Sequence, residues 1–367
     1  MRPPRDDFTP PVEARPARPR LYLPSRAGRR WLFVSIWLAF CGSLLWLAGK
    51  SYWWFTAAVP PTQAPSVWDH HFPLLRRSGL LDQVTRHEDD RFDVLLLGGS
   101  VLVPGWTRVQ AELEQRLAEA LPERYRLFNL GESGYTSRDS LIQYEHLADH
   151  QFDLVLVYDG INDVRMNCCP PEEFRDDYTH FSRYAAIGRH LAAGQINLPR
   201  AALDRLQVVV GTLPYGTTHP QLLQYGANPQ SARTLAANVA EITRLARERH
   251  DPLLLLTYAW YIPADYSEDR FKGGELDYGQ ENVRACTVEI WGNPPDVIQA
   301  LTLQNDRLRE LAARSPEITF VDLARELPAT GAHFVDPCHL TQEGSRRWVE
   351  LIWPSVERHL HAWQSTP

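Results

Sequence analysis

The stretch FDVLLLGGSVL, residues 92–102, contains an apolar run that stops at two glycines followed by Ser100. The four apolar residues from Val94 to Leu97 are typical of a strand covered on both faces, as in a parallel sheet. The glycines permit a tight exit from that strand, which would present Ser100 at the edge of the sheet. Taken alone, the pattern favours a turn or a phosphate-binding loop over a nucleophilic serine.

Outward from this stretch, apolar runs alternate with segments of helical periodicity, which predicts an α/β fold. Strands are predicted at residues 93–97, 126–130, 153–160, 253–259 and 318–323, and helices at 106–121, from 137, at about 230–249 and from 342. Five strands in this arrangement indicate a flavodoxin-like three-layer α/β/α sandwich with a mainly parallel sheet.

Two segments do not follow the alternation, at about residues 165–229 and 260–295. Both are rich in Pro, Gly, Tyr and Trp, and both follow the carboxyl end of a predicted strand. Ligands of open α/β sheets bind at that edge, so these insertions are candidates for a lid or a substrate-binding wall. Their alternative role is structural padding.

The charge of the chain is unevenly distributed. The whole chain of 367 residues carries a formal charge of −7, but residues 1–30 contain eight arginines and three acidic residues. That segment is therefore +5 and the remainder −12. An acidic body argues against nucleic acid as the ligand, and the 44% hydrophobic composition allows one large globular core.

The N-terminal region has the pattern of a membrane anchor. Residues 1–30 are basic and Pro-rich, which predicts a flexible cytoplasmic tail. Residues 31–49 carry no charge, and aromatic residues at 52–54 follow them. We therefore expect a transmembrane signal anchor at 31–50, with everything after it extracytoplasmic, in the periplasm or at the cell surface if the protein is bacterial. A cleaved signal peptide and a buried core helix are the alternatives.

The segment between the anchor and the folded domain covers residues 51–90. Its stretch VPPTQAPSVW, residues 59–68, is proline-rich and uncharged, which predicts a stalk. The domain itself is expected at 91–367.

The five cysteines divide by position. Cys41 lies in the apolar segment, whereas Cys168, Cys169, Cys286 and Cys338 would face an oxidising compartment. Four cysteines permit two disulfides in three connectivities, and a bridge between the adjacent pair would be strained. Buried free thiols are the alternative, and the spacing does not match a zinc site.

Three further motifs follow strands at the same predicted edge as Ser100: NLGESG with Gly134, GIND with Asn162, and DPCHLT with Asp336 and His339. Each motif is weak by itself. Together they supply what acyl transfer by a serine requires, namely a hydroxyl nucleophile, an imidazole base, a carboxylate that orients it, and donors for an oxyanion.

In these motifs and their order, the chain resembles the SGNH hydrolase superfamily, the GDSL-type esterases and lipases. The resemblance implies a triad of Ser100, Asp336 and His339. It implies an oxyanion hole formed by the backbone N–H groups of Ser100 and Gly134 and by the side-chain amide of Asn162. It implies no metal and no organic cofactor. The resemblance covers about residues 92–360 at the level of motifs, without the insertions.

The first motif departs from that of the family. The family's Gly-Asp-Ser-Leu is Gly-Gly-Ser-Val here, so Gly99 stands where the family has an aspartate. Gly131 is an alternative to Gly134 in the second motif, which we prefer for its spacing. Asp163 is expected to order its loop rather than to react.

Cys338 lies beside the predicted base. We expect a disulfide from Cys338 to Cys168 or Cys169, because their loops follow the same sheet edge. Such a bridge would brace the catalytic loop.

The expected function is a membrane-anchored, extracytoplasmic serine hydrolase that cleaves an acyl or acetyl ester of a carbohydrate or lipid through an acyl-enzyme. Its substrate would lie at the cell envelope, as polysaccharide, peptidoglycan or lipid. One alternative is an O-acyltransferase that uses the same triad on an envelope glycan. Another is a non-catalytic binding protein of the same fold. A nucleotide-binding domain is disfavoured, because this chain lacks the GxGxxG fingerprint after its first predicted strand.

Overall fold

The computed structural model describes residues 26–57, 66–87, 90–196, 220–280 and 285–365. The chain forms two units, Met1–Thr62 and Gln63–Pro367. Most of the predicted tail and most of the predicted stalk lie outside the described residues.

The first unit contains helix α1, Arg26–Ala57, so the last residues of the predicted tail are helical. Within α1 the stretch Phe33–Ser51 has a mean hydropathy of 1.5 and none of it is buried. By length and composition this stretch can cross a membrane, and a signal sequence near the N-terminus has the same properties.

The second unit begins with two short helices, α2 (Val67–His71) and α3 (Pro73–Arg77), where the sequence predicted the end of a stalk. Ser66 caps α2 through a capping box. Phe72 and Leu75 are fully buried in the core of the domain. The segment that leads into the domain is therefore folded from Ser66 onward, because its apolar side chains are buried.

A five-stranded sheet forms the centre of the domain, with the strand order β2-β1-β3-β4-β5 and every pair parallel. The strands are β1 (Phe92–Gly98), β2 (Tyr125–Asn129), β3 (Leu154–Tyr158), β4 (Leu253–Leu256) and β5 (Ile318–Val321). This is the flavodoxin-like order, and it confirms the predicted fold class.

Helices cover both faces of the sheet. In chain order they are α4 (Val109–Ala120), α5 (Ser137–His146), α6 (Ile161–Val164), α7 (Ser182–Ala193), α8 (Ser231–Arg249), α9 (Glu268–Lys272), α10 (Pro294–Arg314), α11 (Leu323–Glu326) and α12 (Gln342–Gln364). Alternate residues of β1 point to opposite faces: Val94 and Leu96 pack in one hydrophobic cluster with α4 and α12, and Leu95 and Leu97 pack in the other with α5 and α8. Burial on both faces explains why β1 is apolar throughout its centre.

Candidate active site

Ser100 lies directly after β1, at the carboxyl edge of the sheet, and begins a short 3-10 turn. Both glycines before it are required by close contacts. A Cβ on Gly98 would lie 2.4 Å from the carbonyl oxygen of Tyr158, and a Cβ on Gly99 would lie 2.9 Å from Nδ2 of Asn162. An aspartate at position 99, as in the family, would require the Asn162 amide or the loop around it to shift.

Ser100, His339 and Asp336 form a continuous chain of hydrogen bonds. The Ser100 hydroxyl lies 2.7 Å from Nε2 of His339, and Nδ1 of His339 lies 2.6 Å from Oδ2 of Asp336. The side chains of His339 and Asp336 are almost completely buried. The structure therefore brings together the three residues that the sequence predicted as a triad, in the order hydroxyl, imidazole, carboxylate.

The Asp336 carboxylate accepts hydrogen bonds at both oxygens. Oδ1 accepts from the backbone N–H groups of Cys338 and His339, and Oδ2 accepts from that of Cys286. Burial opposes ionisation of this carboxyl group, but attraction to His339 and the N–H donors outweigh it and hold the pKa of Asp336 below its ordinary value. An ionised Asp336 requires the tautomer in which Nδ1 of His339 carries the proton and Nε2 accepts one from Ser100.

The loop that carries Asp336 and His339 is fixed at both of its ends. The backbone N–H of Val335 donates to the carbonyl of His339. Thr341 accepts a hydrogen bond from the backbone N–H of Gly344 and caps α12. The imidazole is also covered by Trp106, whose ring stacks on His339 with centroids 4.3 Å apart. These contacts leave the imidazole little freedom to rotate.

The second motif places Gly134 in the wall of a pocket beside Ser100, with a φ of +81°, which favours glycine. Gly131 lies instead against Leu102, whose Cβ would be 2.8 Å from a Cβ on that glycine. Of these two glycines, Gly134 is the one whose backbone faces the pocket.

Two hydrogen bonds fix the orientation of the Asn162 side chain. Its Nδ2 donates to the carbonyl of Tyr135 at 2.8 Å, and its Oδ1 accepts from Nε1 of Trp291 at 3.0 Å. The indole can only donate, so it determines which end of the amide is oxygen. The remaining N–H of Nδ2 is then available on the side of the pocket.

Asp163 orders its surroundings, as the sequence predicted. Its carboxylate accepts from the backbone N–H and the hydroxyl of Ser137 and from the hydroxyl of Tyr178. Burial raises the pKa of Asp163 to about 6. This carboxylate holds the start of α5, and with it the loop that contains Gly134.

A pocket of about 270 Å³ opens over Ser100 and His339. Both insertions contribute to its wall, so residues outside the four motifs determine most of its shape. From the first insertion come Arg165, Met166, Phe181, Arg183 and Tyr184, and from the second Cys286, Ile290 and Trp291.

The predicted disulfide between Cys338 and Cys168 or Cys169 is not formed. All five cysteines lie in the described residues and are free thiols. Each of the three thiols faces a different group: Cys168 donates to the carbonyl of Trp291, Cys169 to that of Met166, and Cys338 lies 3.5 Å from Nδ1 of His339. The loops share a sheet edge, but the three thiols contact different groups and not one another.

A metal site does not fit the donors at this edge. Among the described residues, Cys286, Asp336 and His339 have ligand atoms within 4.8 Å of one another. However, the carboxylate and the imidazole already use facing atoms in a hydrogen bond with each other. Burial, and then the charge of Asp336, raise the pKa of Cys286 to about 12, which opposes the thiolate that a metal would need.

Sequence reasoning missed several residues of the site. Trp106 lies in the loop after β1, so its proximity to Ser100 in the sequence was an available signal. Trp291, Arg165, Arg183 and Tyr184 lie in the insertions, where no periodicity predicts which side chain faces the pocket.

The sequence matches the model of the GDSL-like lipase/acylhydrolase family over residues 96–279, half of the chain. The chain therefore belongs to this family of enzymes that act on ester bonds. No curated protein matches the chain.

Solved structures of similar fold include a GDSL-like lipase from Bacteroides thetaiotaomicron, with 16% identity, a TM-score of 0.44, and coverage of 78% of this chain and 97% of that one. A lipase/acylhydrolase from Enterococcus faecalis has 13% identity, a TM-score of 0.37, and coverage of 73% and 96%. An acetyl xylan esterase has 14% identity, a TM-score of 0.39, and coverage of 72% and 100%. The family assignment rests on the sequence match and not on these likenesses.

Proposed function

We propose that this chain is a membrane-anchored, extracytoplasmic serine hydrolase that cleaves a carbohydrate or lipid ester through a Ser-His-Asp triad. The observation that carries the proposal is the chain of hydrogen bonds from Ser100 through His339 to Asp336, at 2.7 and 2.6 Å, at the base of a pocket. The first distance suits transfer of the Ser100 proton to Nε2 of His339, and the second suits a hydrogen bond by which Asp336 orients the imidazole and stabilises the imidazolium.

In the proposed reaction, Nε2 of His339 takes the proton of Ser100 as its oxygen attacks the ester carbonyl. The imidazolium that forms is stabilised by Asp336 and then protonates the leaving alcohol, which yields an acyl-enzyme. A water molecule, deprotonated by His339, attacks the acyl-enzyme and releases the acid. No metal or organic cofactor enters any of these steps.

The developing oxyanion would accept hydrogen bonds from the backbone N–H groups of Ser100 and Gly134 and from Nδ2 of Asn162. The amide of Asn162 is supported for this role because Trp291 holds its Oδ1 and Tyr135 holds one proton of its Nδ2. A donor that is already oriented needs no reorganisation when the charge forms.

Helix α1 supports the proposed location. Its stretch Phe33–Ser51 is long and apolar enough for an anchor, and the +5 charge of residues 1–30 favours a cytoplasmic N-terminus. An anchored domain outside the membrane would meet esters of the cell envelope.

The proposal is tested by labelling the full chain in detergent with a fluorophosphonate and mapping the modified peptide. We expect the label on Ser100 and turnover of acetyl or longer acyl esters by the unlabelled protein. A label on another residue, with Ser100 unmodified, would contradict the triad.

Replacing Trp291 with phenylalanine is expected to lower kcat about 10-fold, since the amide of Asn162 loses the donor that orients it. Replacing Asn162 with alanine is expected to lower kcat by roughly 10²- to 10³-fold, as for one lost oxyanion donor. The test is a double-mutant cycle measured by steady-state kinetics on a neutral ester. If Trp291 acts through Asn162, its replacement has no further effect on kcat in the Asn162→Ala background.

Additive effects in this cycle would show that Trp291 contributes only to packing or to substrate contact. Trp353→Phe is a suitable control, because this partly buried tryptophan packs against the core on α12 and is not among the described residues of the pocket wall.

A further inference from the structure

Two guanidinium groups line the pocket, those of Arg165 and Arg183. Among the described residues of the pocket wall there is no aspartate or glutamate. This local charge is opposite to that of the chain after residue 30, which is −12. The pocket therefore offers positive charge to an anion that the rest of the chain repels.

Arg165 is on the oxyanion side of the site. It follows α6, the helix that contains Asn162, and its Nη2 would lie 4.0 Å from a Cβ on Gly134. The guanidinium is thus beside the backbone that faces the reacting carbonyl, within reach of a group attached near the ester.

Arg183 is held in a fixed orientation. Its guanidinium lies 2.6 Å from the buried carboxylate of Asp139 and over the rings of Tyr135 and Tyr184. Asp139 in turn accepts hydrogen bonds from the hydroxyl of Tyr184 and the backbone N–H of Thr136. The charge of Arg183 is shared with Asp139, but its planar group is part of the pocket wall and its orientation is set before any ligand binds.

The rest of the wall is largely aromatic. Trp106, Phe181, Tyr184 and Trp291 surround the cavity of about 270 Å³. Such a wall suits the apolar face of a ring or a short chain, and it lowers the local dielectric, which strengthens an ion pair within it.

We propose that the ester substrate carries an anionic group, a carboxylate, phosphate or sulfate, close to the scissile bond, and that Arg165 binds this group with Arg183 beside it. The inference rests on the proposed function and specifies its substrate class. Guanidinium groups bind such anions through paired, charge-assisted hydrogen bonds.

The test compares kcat/KM of the full chain in non-ionic detergent on two matched pairs of esters. On the alcohol side the pair is p-carboxyphenyl acetate and its methyl ester, and on the acyl side it is the p-nitrophenyl half-ester of adipic acid and p-nitrophenyl hexanoate. Each variant is compared with wild type on the same ester, so differences in leaving-group reactivity cancel.

For one of the two pairs, Arg165→Gln is expected to lower kcat/KM about 10- to 100-fold on the anionic ester and less than about 3-fold on the neutral one. The pair of esters in which this loss occurs shows whether the anionic group belongs to the alcohol or to the acyl part of the substrate. Arg165→Lys should restore part of the loss. The control is Arg233→Gln, which removes the same charge from an exposed pair with Asp176.

A measurement on wild type alone keeps the inference testable if Arg165→Gln does not fold. Raising NaCl from about 0.05 M to about 0.5 M should lower kcat/KM for the anionic ester relative to the neutral one.

Equal losses on both members of each pair would overturn the inference, because Arg165 would then act on the oxyanion. The inference would also be overturned if, in both pairs, NaCl did not change the ratio of kcat/KM for the anionic ester to that for the neutral ester in wild type. In both cases, continued labelling of Ser100 by a fluorophosphonate and continued turnover of neutral esters would leave the proposed hydrolase intact. Loss of that labelling in wild type would instead refute the proposed function itself.

Discussion

Replacing Ser100 with alanine is expected to lower kcat for ester hydrolysis by roughly 10⁴- to 10⁶-fold. The change removes the oxygen that lies 2.7 Å from Nε2 of His339, so no acyl-enzyme can form. The backbone N–H of residue 100 and the rest of the site remain, and substrate binding should change little. The measurement is steady-state turnover of a neutral ester, together with fluorophosphonate labelling, which should disappear.

The control for this variant is Ser365→Ala, at the exposed end of α12, which should hydrolyse esters like wild type. Thermal unfolding of both variants should resemble that of wild type, since the Ser100 hydroxyl makes a single short hydrogen bond. Labelling or turnover that persists in Ser100→Ala would remove Ser100 from the mechanism.

Replacing Asp336 with asparagine is expected to lower kcat by about 10³- to 10⁴-fold, because the amide no longer selects the tautomer of His339 that accepts a proton at Nε2. It is also expected to destabilise the domain. Oδ1 and Oδ2 both accept from backbone N–H groups, so either orientation of the amide would direct its own N–H protons at a donor. Kinetics on a neutral ester and urea unfolding at about pH 7 measure the two effects.

The pH dependence gives a further check on Asp336. Its pKa is lowered in the folded protein, so its contribution to stability is present above the unfolded pKa of about 4 and is lost as the pH falls through the folded value. The difference in unfolding free energy between wild type and Asp336→Asn should therefore narrow on acidification. The control is Asp306→Asn, which removes one negative charge from a surface ion pair with Arg309 and tests the effect of the charge change alone. A difference that stays constant with pH would mean that Asp336 has the same pKa in the folded and the unfolded protein, and a difference that widens on acidification would mean that folding raises this pKa.

Much of the fold could be predicted from the sequence because β3 and the centre of β1 are buried on both faces and are therefore apolar. The predicted strands agree with the observed ones to within a few residues, and the helix predicted at 230–249 is α8, Ser231–Arg249. Besides several helices of four or five residues, two long helices were not predicted. α10 begins with Pro294 and Pro295, which resemble a turn although proline is favoured in the first turn of a helix. α7 lies in a segment whose many polar and aromatic residues obscure its apolar face.

The residues of the candidate triad could be predicted because each is fixed by a local device that leaves a mark in the sequence. Two glycines precede Ser100, and Thr341 caps the helix that follows His339. No local pattern in the sequence indicated the role of Trp291, since its contact with Asn162 joins positions 129 residues apart in the chain. The expected disulfide failed for a related reason, because nearness at a sheet edge does not fix the direction of a side chain.

The reacting groups and the pocket wall come from different parts of the chain. Ser100 and Asn162 lie just after β1 and β3, and His339 lies in the loop before α12, whereas Arg165, Arg183 and Trp291 come from the two insertions. Residues of the insertions that only line the pocket, such as Phe181, can thus be changed without touching the triad. Trp291 and the backbone N–H of Cys286 would have to be kept, because they hold Asn162 and Asp336. In evolution or in the laboratory, this chain could acquire a new substrate by changes in its pocket wall that leave these two contacts in place.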